Sequence, residues 1–447
     1  MTSVNFAQLL RTSLQDGHRL SPQSAAHNLL SADIARYLDS QDLTEISRLL
    51  DLLPLGKRAE VFGYFPIARQ VQLAEALPRS ALVALIAAMS ADERADLFNR
   101  IGQDHRDALL PALAHLQRED LRTLANYAEG SAGAIMTSEY STLDARLNAA
   151  QAIEALRREA ADAETIYQTY VLDEQRQLLG TLSLRELILA PPQIPVAQLM
   201  ITPVVSARVD DDQEEVARLI NHYDLLALPI INADGALVGI VTCDDAMDVV
   251  VEEATEDFHK GALIGTHIGN LSTATVTMLY RKRVLWLVLL VFGNLFSGAG
   301  IAAFEDIIAA NIALVFFLPL LVDSGGNAGA QSATLMVRAL ATGEVVLRDW
   351  LRLLGRECAV ALGLGATMAV AVALLGVMRG GWDISLIVAS SMLIIVLLGS
   401  LIGMSLPFLL SRLRLDPATA SGPLITSIAD ATGVLVYFWI ATQVLKL

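Results

Sequence analysis

The sequence predicts a multidomain membrane protein with four parts. These are an all-α helical N-terminal domain, an α/β region built as a tandem pair, an acidic linking helix and a five-helix transmembrane domain. Three observations carry this reading. Charge is uneven along the 447 residues: 1–265 hold 39 Asp+Glu against 21 Lys+Arg, whereas 266–447 hold 9 against 11. The second part contains five apolar stretches, each long enough for the roughly 20 helical residues that a hydrocarbon core of about 30 Å requires. Ahead of them, one order of strands and helices occurs twice.

The first part, 1–130, reads as helical. Apolar residues recur at three and four, as in Leu43, Ile46, Leu49, Leu50 and Leu53. Pro54, Pro66 and Pro78 interrupt the pattern every twelve residues. Stacked short helices in a superhelix and a plain bundle both fit that spacing. The stretch Met1 to Leu20 has no apolar run and is interrupted by Arg11, Asp16 and Arg19, so it is not expected to be a cleaved signal peptide.

From Ser131 to 250 the pattern changes to two similar units. The first has Ile135-Met136-Thr137, a helix around Leu147–Arg158, strands Thr165–Leu172 and Leu178–Leu182 about a turn at Asp173-Glu174, and a helix led by Ser183. The second has Leu199-Met200-Ile201-Thr202-Pro203, a helix Gln213–His222, a strand Leu226–Ile231, the turn Asn232-Ala233-Asp234-Gly235, a strand Leu237–Val241 and a helix opened by Thr242-Cys243-Asp244-Asp245. This order, with the run Leu237 to Asp245, resembles a tandem pair of CBS domains, which implies a ligand-sensing module. Asp245 to Lys260 reads as one acidic helix that runs from the end of this region into a linking (plug) segment 251–275, which leads to the membrane domain 276–447.

The five spans are expected near Val284–Ala303, Ile307–Ala341, Trp350–Val377, Ile384–Leu410 and Pro423–Val444. The second is over-long and carries Asp323, Gly325, Gly326, Asn327 and Gln331, so a break or bend is expected there. Cationic residues concentrate at Arg281-Lys282-Arg283, around Arg348 and at Arg412 and Arg414. The excess of Lys and Arg marks the cytosolic side. It places the N-terminal domains in the cytosol and the C-terminus outside, in a multi-pass protein of the cell (inner) membrane.

Several classes are disfavoured. Cys243 and Cys358 are too far apart for a disulfide framework. The acidic front half would repel the phosphates of a nucleic acid and favours cations. The seven His are scattered, without Cys/His metal spacing or a Walker-type phosphate loop, so no enzyme is expected.

Three pieces of the membrane half resemble the MgtE family of magnesium channels. They are Pro319-Leu320-Leu321 with Ser324-Gly325-Gly326-Asn327-Ala328-Gly329-Ala330-Gln331-Ser332-Ala333-Thr334, then Val337-Arg338-Ala339-Leu340-Ala341-Thr342, and Asp416-Pro417-Ala418 continuing to Gly422-Pro423-Leu424, Asp430 and Gly433. With the domain order, the resemblance covers almost the whole chain. It implies a homodimer with a pore on its two-fold axis, magnesium as the permeant ion, and closure by cytosolic magnesium. Some relatives also bind ATP in the CBS pair. Here Gln168 and Glu186 stand where a stacking aromatic and a ribose-binding Asp are expected, although Arg185 is present, and the departure weighs against ATP.

Asp430 is the expected pore residue. It lies seven residues beyond Pro423, about 10 Å along a helix, where a carboxylate is costly and marks an ion path or a buried pair. Two copies facing each other across a dimer axis suit a magnesium ion that keeps several waters, and Thr426 one turn earlier adds an oxygen. For Asp323, two readings stand: a cation site, or the cap of a helix starting after a Gly-Gly break. The expected regulatory acids are Asp92 and Asp96, which form an acidic set with Glu93 in the helical domain, and Asp212, Glu214, Asp224, Asp245, Asp248, Glu253, Glu256 and Asp257 in the CBS pair and linking helix. Asp416, on the loop before the last span, is expected to meet that helix. Like charges at helical spacing repel unless cations neutralise them, so bound magnesium is expected to draw these surfaces together. The alternative class is a proton-coupled secondary transporter of Mg2+, Mn2+ or Co2+, with Asp323 or Asp430 carrying the proton.

Overall fold

The computed structural model describes residues 29–160, 163–262, 264 and 274–446. The signal-peptide reading of 1–20 and part of the linking segment lie outside these residues. The chain divides into two compact units, the first ending at Glu252 and the second running from Glu253 to Leu447.

The first unit opens with short helices: α1 (Ser31–Asp39), α2 (Leu43–Leu50), α3 (Leu55–Gly63), α4 (Ile67–Ala76), α5 (Arg79–Ala87), α6 (Ala91–Arg100), α7 (Gln103–Leu109) and α8 (His115–Leu124). Pro54, Pro66 and Pro78 are the N-cap residues of α3, α4 and α5. A proline there begins a helix because its fixed φ suits the entry and its missing N–H costs nothing. Each helix packs on the next but one: α1 on α3, α2 on α4, and so on to α6 on α8. That alternation builds a stacked superhelix and decides against the plain bundle.

The α/β region contains β1 (Tyr140–Asp144), α9 (Ala149–Glu159), β2 (Thr165–Leu172), β3 (Leu178–Ser183), α10 (Leu184–Leu189), α11 (Val196–Leu199), β4 (Ala207–Arg208), α12 (Gln213–Tyr223), β5 (Ala227–Ile231), β6 (Leu237–Thr242) and α13 (Cys243–Gly261). β1-β2-β3 and β4-β5-β6 form two sheets of identical topology, a parallel pair followed by an antiparallel one. The lead segments are exchanged. Thr137 pairs with Ile240 of the second sheet, and Ile201 with Thr181 of the first. Each expected opening strand therefore completes the other half's sheet. Buried residues from Ile34 through Leu124 continue into Val216, Leu228 and Val249, so the helical domain and the second α/β half share one core.

The second unit holds the last part of α13 and the membrane helices α14 (Val276–Ala302), α15 (Glu305–Ala310), α16 (Ala313–Ala341), α17 (Trp350–Arg412) and α18 (Gly422–Leu445). Four of these are long and apolar enough to cross a membrane. α17, at 63 residues, would be about 95 Å long if straight, three times the hydrocarbon thickness. It is instead a hairpin folded at Gly381, whose φ of 80° and ψ of −169° belong to a region that only glycine enters freely. The Ser385 hydroxyl donates to the Ala373 carbonyl at 2.8 Å, and Gly376 lies directly against Ser385, so the two arms run antiparallel. Five crossings result.

The helix that carries the first span starts at Val276, so Arg281, Lys282 and Arg283 lie on its opening turns, ahead of the apolar stretch. One expectation is corrected. The break in the second span falls at Asn311–Ile312, between α15 and α16. α16 is continuous through Asp323-Ser324-Gly325-Gly326, because its neighbours fill the space the glycines leave.

Candidate metal centres

α16 and α17 approach until their backbones touch. A β-carbon on Gly399 would lie 2.2 Å from the Gly325 carbonyl oxygen, and one on Gly403 only 2.0 Å from that of Gly329. Small residues allow this in a membrane, where packing and weak Cα–H···O contacts replace the hydrophobic drive. The Tyr437 hydroxyl donates to the Leu314 carbonyl at 2.9 Å inside the core, fixing α18 against the start of α16.

That packing brings Asp430 of α18 beside Gly326 of α16, with Asp430 Oδ1 at 3.4 Å from the position of a β-carbon there. Asp430 is half-buried. Asp323 lies within its electrostatic reach, so the two expected intramembrane carboxylates share one neighbourhood, and neither neutralises the other. Asp323 is interior to α16 and accepts a hydrogen bond from Asn327 Nδ2 at 3.0 Å. The capping reading of Asp323 is thereby removed. Thr426 turns its methyl towards Gly326 and donates its hydroxyl hydrogen to the Pro423 carbonyl at 3.0 Å. Its oxygen keeps acceptor capacity. Asp323, Asn327, Gln331, Thr334 and Arg338 are all exposed along α16. Their spacing of four, four, three and four makes one polar stripe. Gln331 and Thr334 were quoted from the sequence but not as members of a polar face, although this spacing was the signal for it.

In the first unit, α6 carries Asp92 and Glu93 in its first turn, and α13 carries Asp244 and Asp245 in its own. Burial, then the charge of Asp92, raises Asp245 to about 7. Burial and the same Asp92 charge raise Glu93 to about 7. Asp92 itself is raised, by burial first and by Asp244 among its neighbours. The Thr242 hydroxyl donates to the Asp245 carboxylate. Asp96 stands further along α6 within the electrostatic reach of Glu252, and Asp248 lies on the exposed side of α13. Sequence reasoning grouped Glu93 with Asp92 and Asp96 but missed Glu164, whose charge also acts on Asp245. Glu164 comes close through tertiary folding alone.

The remaining regulatory candidates separate. Asp212 caps α12 by accepting from the Glu214 amide at 2.9 Å. Asp224 closes the same helix in a left-handed conformation with φ of 52°. Asp212 and Glu214 thus sit about 16 Å from Asp224 along the helix and do not converge with it. Glu253, Glu256 and Asp257 lie on the last turns of α13 in the second unit. There Lys260 Nζ donates to Glu256 Oε1 at 2.8 Å and to Asp416 Oδ2 at 2.6 Å. Burial works against the Lys260 charge, but the hydrogen bonds to Asp416 and Glu256 outweigh it and raise its pKa. Asp257 is raised by burial and by Asp416. Among the described residues, no three His, Cys, Asp or Glu side chains converge as a complete metal cage.

Glu186 accepts hydrogen bonds from its own cap residue Ser183, through the amide at 2.9 Å and the hydroxyl at 2.8 Å. Gln168 donates to the Thr181 hydroxyl. Both side chains at the expected nucleotide positions therefore have local partners.

Apolar spans that bear two carboxylates, in a chain whose preceding domains are rich in carboxylates, fit a carrier of divalent cations. The family model for MgtE divalent cation transporters matches residues 318–440, that for the MgtE intracellular N domain 29–130, and that for CBS domains 196–252. The magnesium transporter MgtE of Thermus thermophilus is 41% identical over 80% of this chain and 80% of its own length. That of Bacillus subtilis is 39% identical over 79% and 78%. A crystal structure of the cytosolic domain of the Mg2+ channel MgtE in complex with ATP aligns with TM-score 0.52 and 36% identity, over 54% of this chain and 99% of that one. The chain belongs to the MgtE family of magnesium transporters.

Proposed function

We propose that two copies of the chain form a magnesium-conducting pore in the cell membrane, closed from the cytosolic side by magnesium. The observation that carries this is the placing of Asp430 against Gly326 of α16, within electrostatic reach of Asp323 in the polar stripe of that helix. A membrane helix keeps such a stripe only against water or protein, and a two-fold partner would set two stripes and two Asp430 side chains around one path. Two carboxylates with hydroxyl and amide oxygens hold a magnesium ion through its waters, which it gives up reluctantly. α14 packs on α18 within the chain, and its other faces are apolar and uncovered, with Leu285 and Phe296 over 70% exposed. They suit lipid or the second copy. On this reading the N-terminal domains are cytosolic and the C-terminus lies outside.

Closure rests on the acidic face of α6 and α13. Magnesium binds best where those carboxylates are close together, so it favours the compact arrangement. ATP forms no part of this proposal, because Gln168 and Glu186 are engaged locally.

The test is magnesium flux into liposomes for the parent and Asp430→Asn, which removes the charge and keeps the shape. Losing a charge-assisted contact worth about 1.5–3 kcal/mol predicts a fall of at least about tenfold. Parent-like flux from Asp430→Asn refutes the pore assignment. Strict dependence of parent flux on an opposing proton gradient would instead mark a coupled transporter.

A further inference from the structure

The end of the linking helix carries a cation among acids. Lys260 on α13 contacts Glu256 on its own helix and Asp416 on the loop before the last span, at 2.8 and 2.6 Å. Asp416 is rigidly held. Its other oxygen accepts from the Ala418 amide at 2.8 Å, and its carbonyl accepts from the Thr419 hydroxyl at 2.6 Å. Ala418 and Ala420 are almost fully buried, with Ala420 packed against Ile425 of α18 and Ala333 of α16. Ser421 then caps α18, the helix that bears Asp430. An ammonium thus ties the linking helix to a loop that packs against the last span and caps it.

We propose that Lys260 is a metal-independent coupling joint, a positioning residue that fastens the end of the linking helix to the Asp416 loop. Two carboxylates on separate elements satisfy one ammonium in a partly buried site, where ion pairs are screened less than at the surface. The helix end therefore stays docked without a divalent ion. Motion at the acidic start of α13 reaches α18 and is not lost in a loose connection. The docking stands by itself; its use in closure rests on the gating reading above.

Hydrogen exchange of the full-length protein in detergent with EDTA tests the joint. In Lys260→Gln, amides of 253–262 and 415–421 exchange about fivefold faster than in the parent, while β5 and β6 are unchanged. Lys260→Arg behaves as the parent. Asp416→Asn releases the same two segments, which covers the case in which Lys260→Gln folds poorly. Parent-like exchange of both segments in Lys260→Gln or in Asp416→Asn overturns the joint. In liposomes, Lys260→Gln keeps its maximal flux but requires about fivefold more magnesium for half-closure. If the parent does not close with magnesium, the gating reading fails and the exchange result still decides the joint. If the parent closes and the released variant closes at the same concentration, the coupling role is overturned.

Discussion

Glu93 and Asp245 are carboxylates that hold protons until about pH 7 in the folded chain, whereas unfolded carboxylates ionise near pH 4. Between those values the folded state binds more protons, so stability falls as pH rises. The favourable contribution is complete below about pH 4 and is lost through pH 7. In EDTA the unfolding midpoint of the cytosolic domains should drop from pH 5 to pH 8. Saturating magnesium, which binds the ionised forms, should restore it most at pH 8. A flat profile in EDTA would contradict the picture of mutually repelling acids. Single residues were legible where spacing or depth marks them: Asp430 from its position in an apolar span, Asp245 from its place beside Asp244 and Asp248. Glu164 was not, because its significance arises from proximity between elements far apart in sequence.

Among elements, the close contact of α16 with α17 is the most exacting. A methyl at Gly403 would meet the Gly329 carbonyl, and a backbone oxygen inside a helix has nowhere to go. Gly403→Ala should cost about 1–3 kcal/mol, read as a fall of several degrees in the unfolding midpoint in detergent. Gly363→Ala, on the same helix with nothing near its added carbon, should be neutral or slightly stabilising. The strands Thr165–Leu172 and Leu237–Thr242 and the helices Ala149–Glu159 and Gln213–Tyr223 were legible because alternation, turn residues and caps agree locally. The exchange of Thr137 and Ile201 between sheets was not, since pairing partners leave no local trace. The break at Asn311 was also misplaced. Glycines beside an aspartate suggested interruption, whereas in a membrane they serve close packing.

For the whole molecule, trypsin digestion with and without magnesium reads the cytosolic response directly. If magnesium compacts the acidic domains, sites such as Arg100 and Arg218 should be cut at least about fivefold more slowly in its presence. Equal cleavage would remove the sensing role. Domain order and span number were legible in the distribution of charge and apolar length. The α17 hairpin was legible only as two separate spans; its apex of one residue was not. That apex has a practical consequence. With Gly381 alone turning the chain, no tether remains there for an antibody to grip, a protease to cut or an epitope tag to occupy. Surface reporters for that side of the bilayer will have to be placed elsewhere.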